Sequence, residues 1–329
     1  MFVDSLPSLQ GKAEDALRVL DATKISAYMK CWRHFFIEHV LGWRKAESLH
    51  LDFGIAYHEG MEEYYLSNGD VNKAVKAFTM SYVKMFGGTD DENVRGSDKK
   101  TFNSGCNAIR KYSDEFGMDF APQMVESVGK VILGEREFAI KVDLFGRFYA
   151  TPRELHFMDH KTASINSDTF RRSWKISPQM TLYETGRRQI FGEIEGGGVI
   201  NAAFFRTKDN VDFLRIPVTF GDNELKALQA SIIKTADDIE RDLTRFFALS
   251  EDERTAKVLE LFPINGIGCG GGTYSGCYHK SMMTSICQIQ NPLLLKSAPI
   301  GYLKYYWDPT EGSDDYYNKA ELLRSKHVR

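Results

Sequence analysis

"HFMDHKTASI", residues 156–165, decides how this chain is read. An apolar run ends in Asp159, His160 and Lys161, so an acid and an ammonium lie two residues apart at the end of a strand otherwise built for burial. Unpaired charge is expensive there, and strand side chains two apart share a face. The pattern predicts either an ordinary surface ion pair, which is worth little, or charges completed by something the chain binds.

Upstream, "AIKVDLFG" (139–146) sets Asp143 among apolar residues, as on a neighbouring strand. Runs at 123–133, 137–150 and 154–160 are rich in β-formers and broken by "GER" and "TPR", which predicts a meander of about three strands. A helix over 177–192 follows, with Pro178 in its first turn and Gly192 at its end. Two strands at 197–208 and 211–220 predict a hairpin, and an amphipathic helix runs from about Asn223 to Phe247. Before the meander, helical spacing covers 23–41, 52–67, 71–86 and 99–116, with Gly42 as the cap of the first. Beyond residue 262 the chain is glycine-rich and irregular. The order predicts an α/β fold, a mixed sheet flanked by helices, with a helical N-terminal region at 1–120, a sheet core at 121–220 and a C-terminal segment at 221–329 in one domain.

The 329 residues are 43% hydrophobic and 26% charged, a globular composition, and the net charge of −3 excludes a strongly basic nucleic-acid binder without excluding a local basic groove. No basic segment precedes an apolar run at the N-terminus and no stretch is apolar enough to span a bilayer, so a cytoplasmic protein is expected. Five cysteines are an odd number for a disulfide framework, and point to metal ligation or burial.

Hard divalent cations such as Mg²⁺ or Mn²⁺ take oxygen ligands, typically carboxylates completed by water and phosphate. Asp159 supplies one such ligand; Asp143 supplies a second if its strand pairs with that of Asp159. Lys161, on the Asp159 face, is placed to orient water or to stabilise charge building on phosphate. His58 lies on an early helix beside Glu59, Glu62 and Glu63, and Gln179 and Tyr183 share a helix face just after the Asp-x-Lys strand.

In order along the chain, Gly54-x-x-x-His58, Asp143, Asp159-x-Lys161 and Gln179-x-x-x-Tyr183 resemble the PD-(D/E)XK nuclease superfamily, and within it the RecB-like branch. The resemblance implies a restriction-endonuclease-like sheet and a deoxyribonuclease dependent on Mg²⁺ or Mn²⁺. It implies that His58, Asp143 and Asp159, with the carbonyl of His160, hold the metal, that Lys161 activates water, and that Gln179 and Tyr183 organise Lys161 and the DNA backbone. Glu126 or Glu135 adds a further carboxylate. A second register is open: the branch often reads G-R-x-D, and "GRFY" puts Tyr149 where that Asp stands, a group that stays protonated near neutral pH. Arg171, Arg172, Lys175, Arg187 and Arg188 flank the Gln179–Tyr183 helix as candidate phosphate contacts, or as a solvated helix face.

A subset of the branch, including the exonucleases of CRISPR adaptation and AddB-type helicase-nuclease subunits, carries a 4Fe-4S cluster on one N-terminal and three C-terminal cysteines. Cys31 with Cys269, Cys277 and Cys287 resembles that set, with zinc as the alternative ion, while Cys106 is expected to pack in a helix face. The implied function is exonucleolytic DNA hydrolysis in recombination, repair or phage DNA processing, in the host cytoplasm if phage-encoded, beside a helicase, recombinase or single-strand annealing protein. The alternatives are a catalytically inactive DNA-binding subunit of the same fold and a zinc-stapled interaction protein.

Overall fold

The structure is a computed structural model that describes residues 17–45, 49–89, 99–192, 194–265, 291–295, 299, 302–304 and 306. Cys269, Cys277 and Cys287 lie outside the described residues. The elements in chain order are β1 (Leu20–Asp21), α1 (Ala22–Lys30), α2 (Trp32–Phe35), β2 (Trp43–Lys45), α3 (Leu49–Leu66), α4 (Val71–Phe86), α5 (Phe102–Phe116), β3 (Phe120–Leu133) and β4 (Arg136–Phe148). They continue with β5 (Leu155–Ala163), α6 (Asp168–Ser173), α7 (Pro178–Phe191), β6 (Gly196–Phe205), β7 (Val211–Val218), α8 (Asp222–Phe247), α9 (Glu251–Leu261) and β8 (Tyr302–Lys304). They fall in two compact units, one drawn from Met1–Ala46, Ile132–Ala139 and Lys226–Glu311, the other from Glu47–Val131 and Ile140–Leu225.

The second unit carries the site. In it β4 runs antiparallel to β5, β5 parallel to β6 and β6 antiparallel to β7, so the sheet is mixed. The β6–β7 hairpin is as expected, with Gly198 opposite Val218 and Phe205 opposite Val211. A parallel neighbour for β5 needs a crossover, and α6 and α7 supply it. Alternation along β5 sends Phe157 toward α7, where the Tyr183 ring lies 5.7 Å away, and Met158 toward the early helices, where it meets the Tyr65 hydroxyl. Helices thus cover both faces. The early helices bury Phe53, Tyr57, Tyr64, Phe78 and Tyr112 with Leu144, Met158 and Phe205 of the strands. Gly60 permits the close approach of α3 and α4: a Cβ there would stand 3.0 Å from Phe78 Cβ and 2.7 Å from Ile109 Cδ1.

In the first unit β1 lies parallel to the start of β4, with Leu20 opposite Phe138, and Asp21 caps α1 by accepting the Lys24 N–H at 2.9 Å. Phe36 stacks on Phe262 at 4.6 Å and meets Phe246 edge-on at 5.2 Å. Arg33, fully buried, donates Nε to the Phe262 carbonyl at 2.6 Å, satisfying the end of α9.

Two sequence expectations change here. The helix expected over 23–41 is broken at Cys31, whose backbone is extended (φ −167°, ψ 121°), and it ends in a π turn over Phe36–Val40. The helix α9 was not foreseen, although Ser250 and Glu253 cap one another reciprocally, a signature written in the sequence. Among the described residues no helix is long and apolar enough to cross a membrane.

Candidate active site

The paired register of β4 and β5 runs from Gly146↔His156 to Leu144↔Met158, and Asp143 and Asp159 are the residues just beyond its end. There the Asp143 carboxylate, rather than a β4 carbonyl, takes the His160 N–H, at 2.7 Å to Oδ2. Asp143 is 8% exposed and Asp159 fully enclosed. His58, one turn past Gly54 on α3, brings Nδ1 to 3.2 Å from Asp143 Oδ2 and 4.0 Å from Glu126 Oε1. One ligand atom from each of His58, Glu126 and Asp143 can lie within 4.8 Å of the others. An imidazole nitrogen with carboxylate oxygens and no thiolate is a donor set for Mg²⁺ or Mn²⁺.

Glu126 reaches the cluster from within β3. Its φ of +44° is left-handed, unusual and costly for a side chain of this size, and Met124 and Val125 are both buried where a regular strand would alternate. Backbone strain beside clustered acids marks a site whose surroundings hold it. The other candidate, Glu135, is exposed in the turn after β3. No motif in the sequence separates the two; Glu126 lies at the cluster and Glu135 in the turn between the strands.

Electrostatics bind the cluster together. Burial disfavours the charged His58 ring, but the Asp143 carboxylate outweighs it and holds the imidazole at about 9. Burial also works against the Asp143 anion, yet His58 and Lys161 keep its carboxyl well below the usual range. Glu126 goes the other way: burial, then the Asp143 charge, push it up to about 7. Asp159 is raised to about 6 by burial, with the Lys161 charge opposing and that of Asp143 adding. Carboxyls held near neutrality in one enclosed place need a cation to be comfortable as anions.

Lys161 lies 2.6 Å from Asp159 Oδ2, with its ammonium 5.4 Å from the Trp174 ring centroid. Gln179 donates Nε2 to Asp159 Oδ1 at 3.3 Å and to the Tyr183 hydroxyl at 2.8 Å, and that hydroxyl donates to the Lys141 carbonyl. The two α7 residues therefore tie the Asp-x-Lys strand to β4. Lys141 itself sits 2.9 Å from Glu126 Oε2. Lys141 and Trp174 were not singled out in the sequence, although Lys-x-Asp on β4 repeats in reverse the Asp-x-Lys of β5. The His160 side chain points away, into the aromatic core beside Tyr65 and Tyr112, with Nδ1 2.9 Å from Asn201 Nδ2; burial lowers it to about 3, so the ring is neutral.

Tyr149 lies apart from these groups. It is 64% exposed, past the end of β4, and the preceding Gly-Arg serves the turn: a Cβ on Gly146 would stand 2.3 Å from the Ala121 carbonyl oxygen, and Arg147 donates to the carbonyls of Pro152 and Arg153. The acid among the clustered groups on β4 is Asp143. Of the five candidate phosphate contacts, Arg171, Arg172 and Lys175 are exposed, with Arg171 paired to Asp168 and Lys175 to Glu224. Arg187 is a correction. It is 3% exposed, and its guanidinium is spent on both Glu184 oxygens at 2.8 Å and on the Ile194 carbonyl at 2.6 Å. Arg188 also pairs with Glu184, and with Asp222. The helical spacing that put them beside the Gln179–Tyr183 motif says nothing of which face is buried.

Of the four cluster cysteines only Cys31 is described, and it is buried; Cys106 is also buried and packs in the helix face expected for it.

A sequence profile of the PD-(D/E)XK nuclease superfamily matches residues 20–260. No curated protein matches the chain. A crystal structure of an exonuclease candidate from Eubacterium rectale superposes with a TM-score of 0.49 at 17% identity, covering 70% of this chain and 84% of that one. PD-(D/E)XK nucleases use divalent metals such as Mg²⁺ or Mn²⁺ and take DNA as substrate, and the mixed sheet flanked by helices fits their restriction-endonuclease-like fold. The profile spans well over half of the chain: it belongs to the PD-(D/E)XK nuclease superfamily.

Proposed function

We propose that the chain is a divalent-metal-dependent deoxyribonuclease of the RecB-like type, acting as an exonuclease in recombination, repair or phage DNA processing. The observation that carries this reading is the convergence, at the end of the β4–β5 ladder, of His58, Glu126 and Asp143 with the Asp159–Lys161 pair. The RecB-like assignment is supported by Gln179 and Tyr183, which bond to Asp159 and to the β4 backbone.

His58, Glu126, Asp143 and Asp159, with the His160 carbonyl, would hold the metal. A divalent ion there would supply Lewis-acid polarisation of phosphate and a lowered pKa of water. Lys161, steadied by Asp159 and the Trp174 face, orients that water and offsets charge building on phosphorus in an in-line displacement. Gln179 fixes one Asp159 oxygen and leaves the other to Lys161, while Tyr183 holds the strand beneath them. Exposed Arg171, Arg172 and Lys175 contact the DNA backbone.

A 4Fe-4S cluster on Cys31, Cys269, Cys277 and Cys287 is part of the same proposal. It rests on the cysteine pattern of the sequence and on Cys31 standing buried at the break between α1 and α2. Iron, sulfide and zinc analysis of anaerobically purified protein tests it: stoichiometric iron and sulfide support a cluster, and stoichiometric zinc without iron refutes it.

The exonuclease reading is tested with end-labelled linear and covalently closed circular DNA in Mn²⁺. Progressive loss of the linear form with the circle intact is expected. Nicking of the circle would make the enzyme an endonuclease, and binding of both without cleavage would make the chain an inactive subunit.

A further inference from the structure

Lys141 stands where the proposed chemistry has no assigned role for it. It is the residue two before Asp143, and Tyr183 pins its carbonyl. Its side chain is 56% exposed, against 29% for His58 and 10% for Glu126, and its ammonium lies 2.9 Å from Glu126 Oε2. Glu62 and Asp143 add to the negative field that holds it there. The cluster therefore has the Lys161 ammonium and the His58 ring among its acids and a further ammonium at its most exposed edge.

The positive field of a divalent ion ligated by a carboxylate offsets that carboxylate's attraction for a neighbouring ammonium, so Glu126 would hold Lys141 only weakly with metal bound. An ammonium has three donors and a flexible stem. Released, it would lie at the exposed edge of the cluster, within reach of a phosphate brought to the metal-ligating residues. From these positions we propose that Lys141 is a phosphate-binding residue that is held by Glu126 without metal and contacts a DNA phosphate when metal is bound. The proposal rests on the nuclease reading and adds to it a metal-gated contact, so that DNA affinity and metal occupancy are coupled through one side chain.

The test uses Lys141→Gln and Lys141→Arg. Fluorescence anisotropy reports the affinity for a labelled DNA duplex across a salt series, with Ca²⁺ and with EDTA, strand integrity being checked on the same samples. Calorimetry reports Mn²⁺ affinity without DNA. The expected result with Ca²⁺ is an affinity lower by about tenfold in Lys141→Gln, a salt slope smaller by about 0.9, and recovery of most of both in Lys141→Arg. With EDTA the variants and wild type bind alike, and Mn²⁺ affinity is unchanged or higher in Lys141→Gln. Unchanged DNA affinity and slope with Ca²⁺ would overturn the proposal while leaving the nuclease reading intact. So would a loss of Mn²⁺ affinity that parallels the loss of DNA affinity, because Lys141 would then only position Glu126. Failure of wild type to bind DNA under any metal condition would overturn both.

Discussion

Asp143 accepts the backbone N–H of His160 at 2.7 Å, so the acid on one strand is fixed by the residue between the acid and the lysine of the next. This bond replaces the ladder contact that would otherwise close β4 onto β5, and it sets both acids at the point where the strands part. Geometry at the site is therefore made by the sheet itself, with α3 and α7 contributing His58, Gln179 and Tyr183 from the two helices beside it.

Removing the Tyr183 hydroxyl leaves the Lys141 carbonyl and Gln179 without that partner. Tyr183→Phe should cost about 1–3 kcal/mol of stability, the usual penalty for an orphaned buried polar group. Cleavage should fall by about tenfold to a hundredfold at nearly unchanged Mn²⁺ affinity, as for other outer partners of metal ligands. Thermal unfolding and calorimetric Mn²⁺ titration check the two halves separately; equal losses in Mn²⁺ affinity and rate would place Tyr183 among the groups that hold the metal directly.

Metal binding should be strongly pH-dependent. His58, raised to about 9, stabilises the metal-free fold fully below its unfolded value near 6.5 and loses that contribution as pH rises through 9. Glu126, raised to about 7, likewise gives stability present below its unfolded value near 4.5 and lost as pH rises through 7. Deprotonated ligands are what a metal needs. Through this cluster the metal-free protein loses stability from pH 5 to 9, while the gain from Mn²⁺ grows over the same window with release of protons. Melting temperatures at several pH values, with and without Mn²⁺, measure both; a Mn²⁺ increment that shrinks with rising pH contradicts the assignment of His58 and Glu126.

Arg187 belongs to the fold. Arg187→Ala leaves Glu184 Oε2 and the Ile194 carbonyl without the buried guanidinium, with Arg188 still at Glu184 Oε1, and should destabilise the protein by about 1–3 kcal/mol. Arg172→Ala should leave the melting temperature in place and weaken DNA binding modestly, with a shallower salt dependence. Paired melting and anisotropy measurements distinguish them. A folded Arg187→Ala protein that loses only DNA affinity would return Arg187 to the DNA-contact surface.

Much of this architecture was legible in sequence because each element had its own local signal. The Val71–Phe86 helix matches its apolar spacing residue for residue, and the β6–β7 hairpin follows from two β-rich runs with a short polar turn. The order of Gly54–His58, Asp143, Asp159–Lys161 and Gln179–Tyr183 was equally readable. What could not be read depends on contacts distant in sequence. The Glu126 backbone is left-handed within a strand, and Arg187 is buried because its helix faces inward at that position. The Tyr149 register looked open because Gly-Arg resembles a motif, whereas Gly146 is there to pass under the Ala121 carbonyl.

The most direct test of the central claim is cleavage of end-labelled DNA as Mn²⁺ is titrated into wild type, Asp143→Asn and Lys161→Ala. Wild-type cleavage that saturates with Mn²⁺ and is abolished by EDTA is expected. With it should go a loss well beyond a hundredfold in Asp143→Asn, through lost metal, and in Lys161→Ala at retained Mn²⁺ affinity. Cleavage that persists at wild-type rate in both variants, or that needs no divalent ion, would contradict the account.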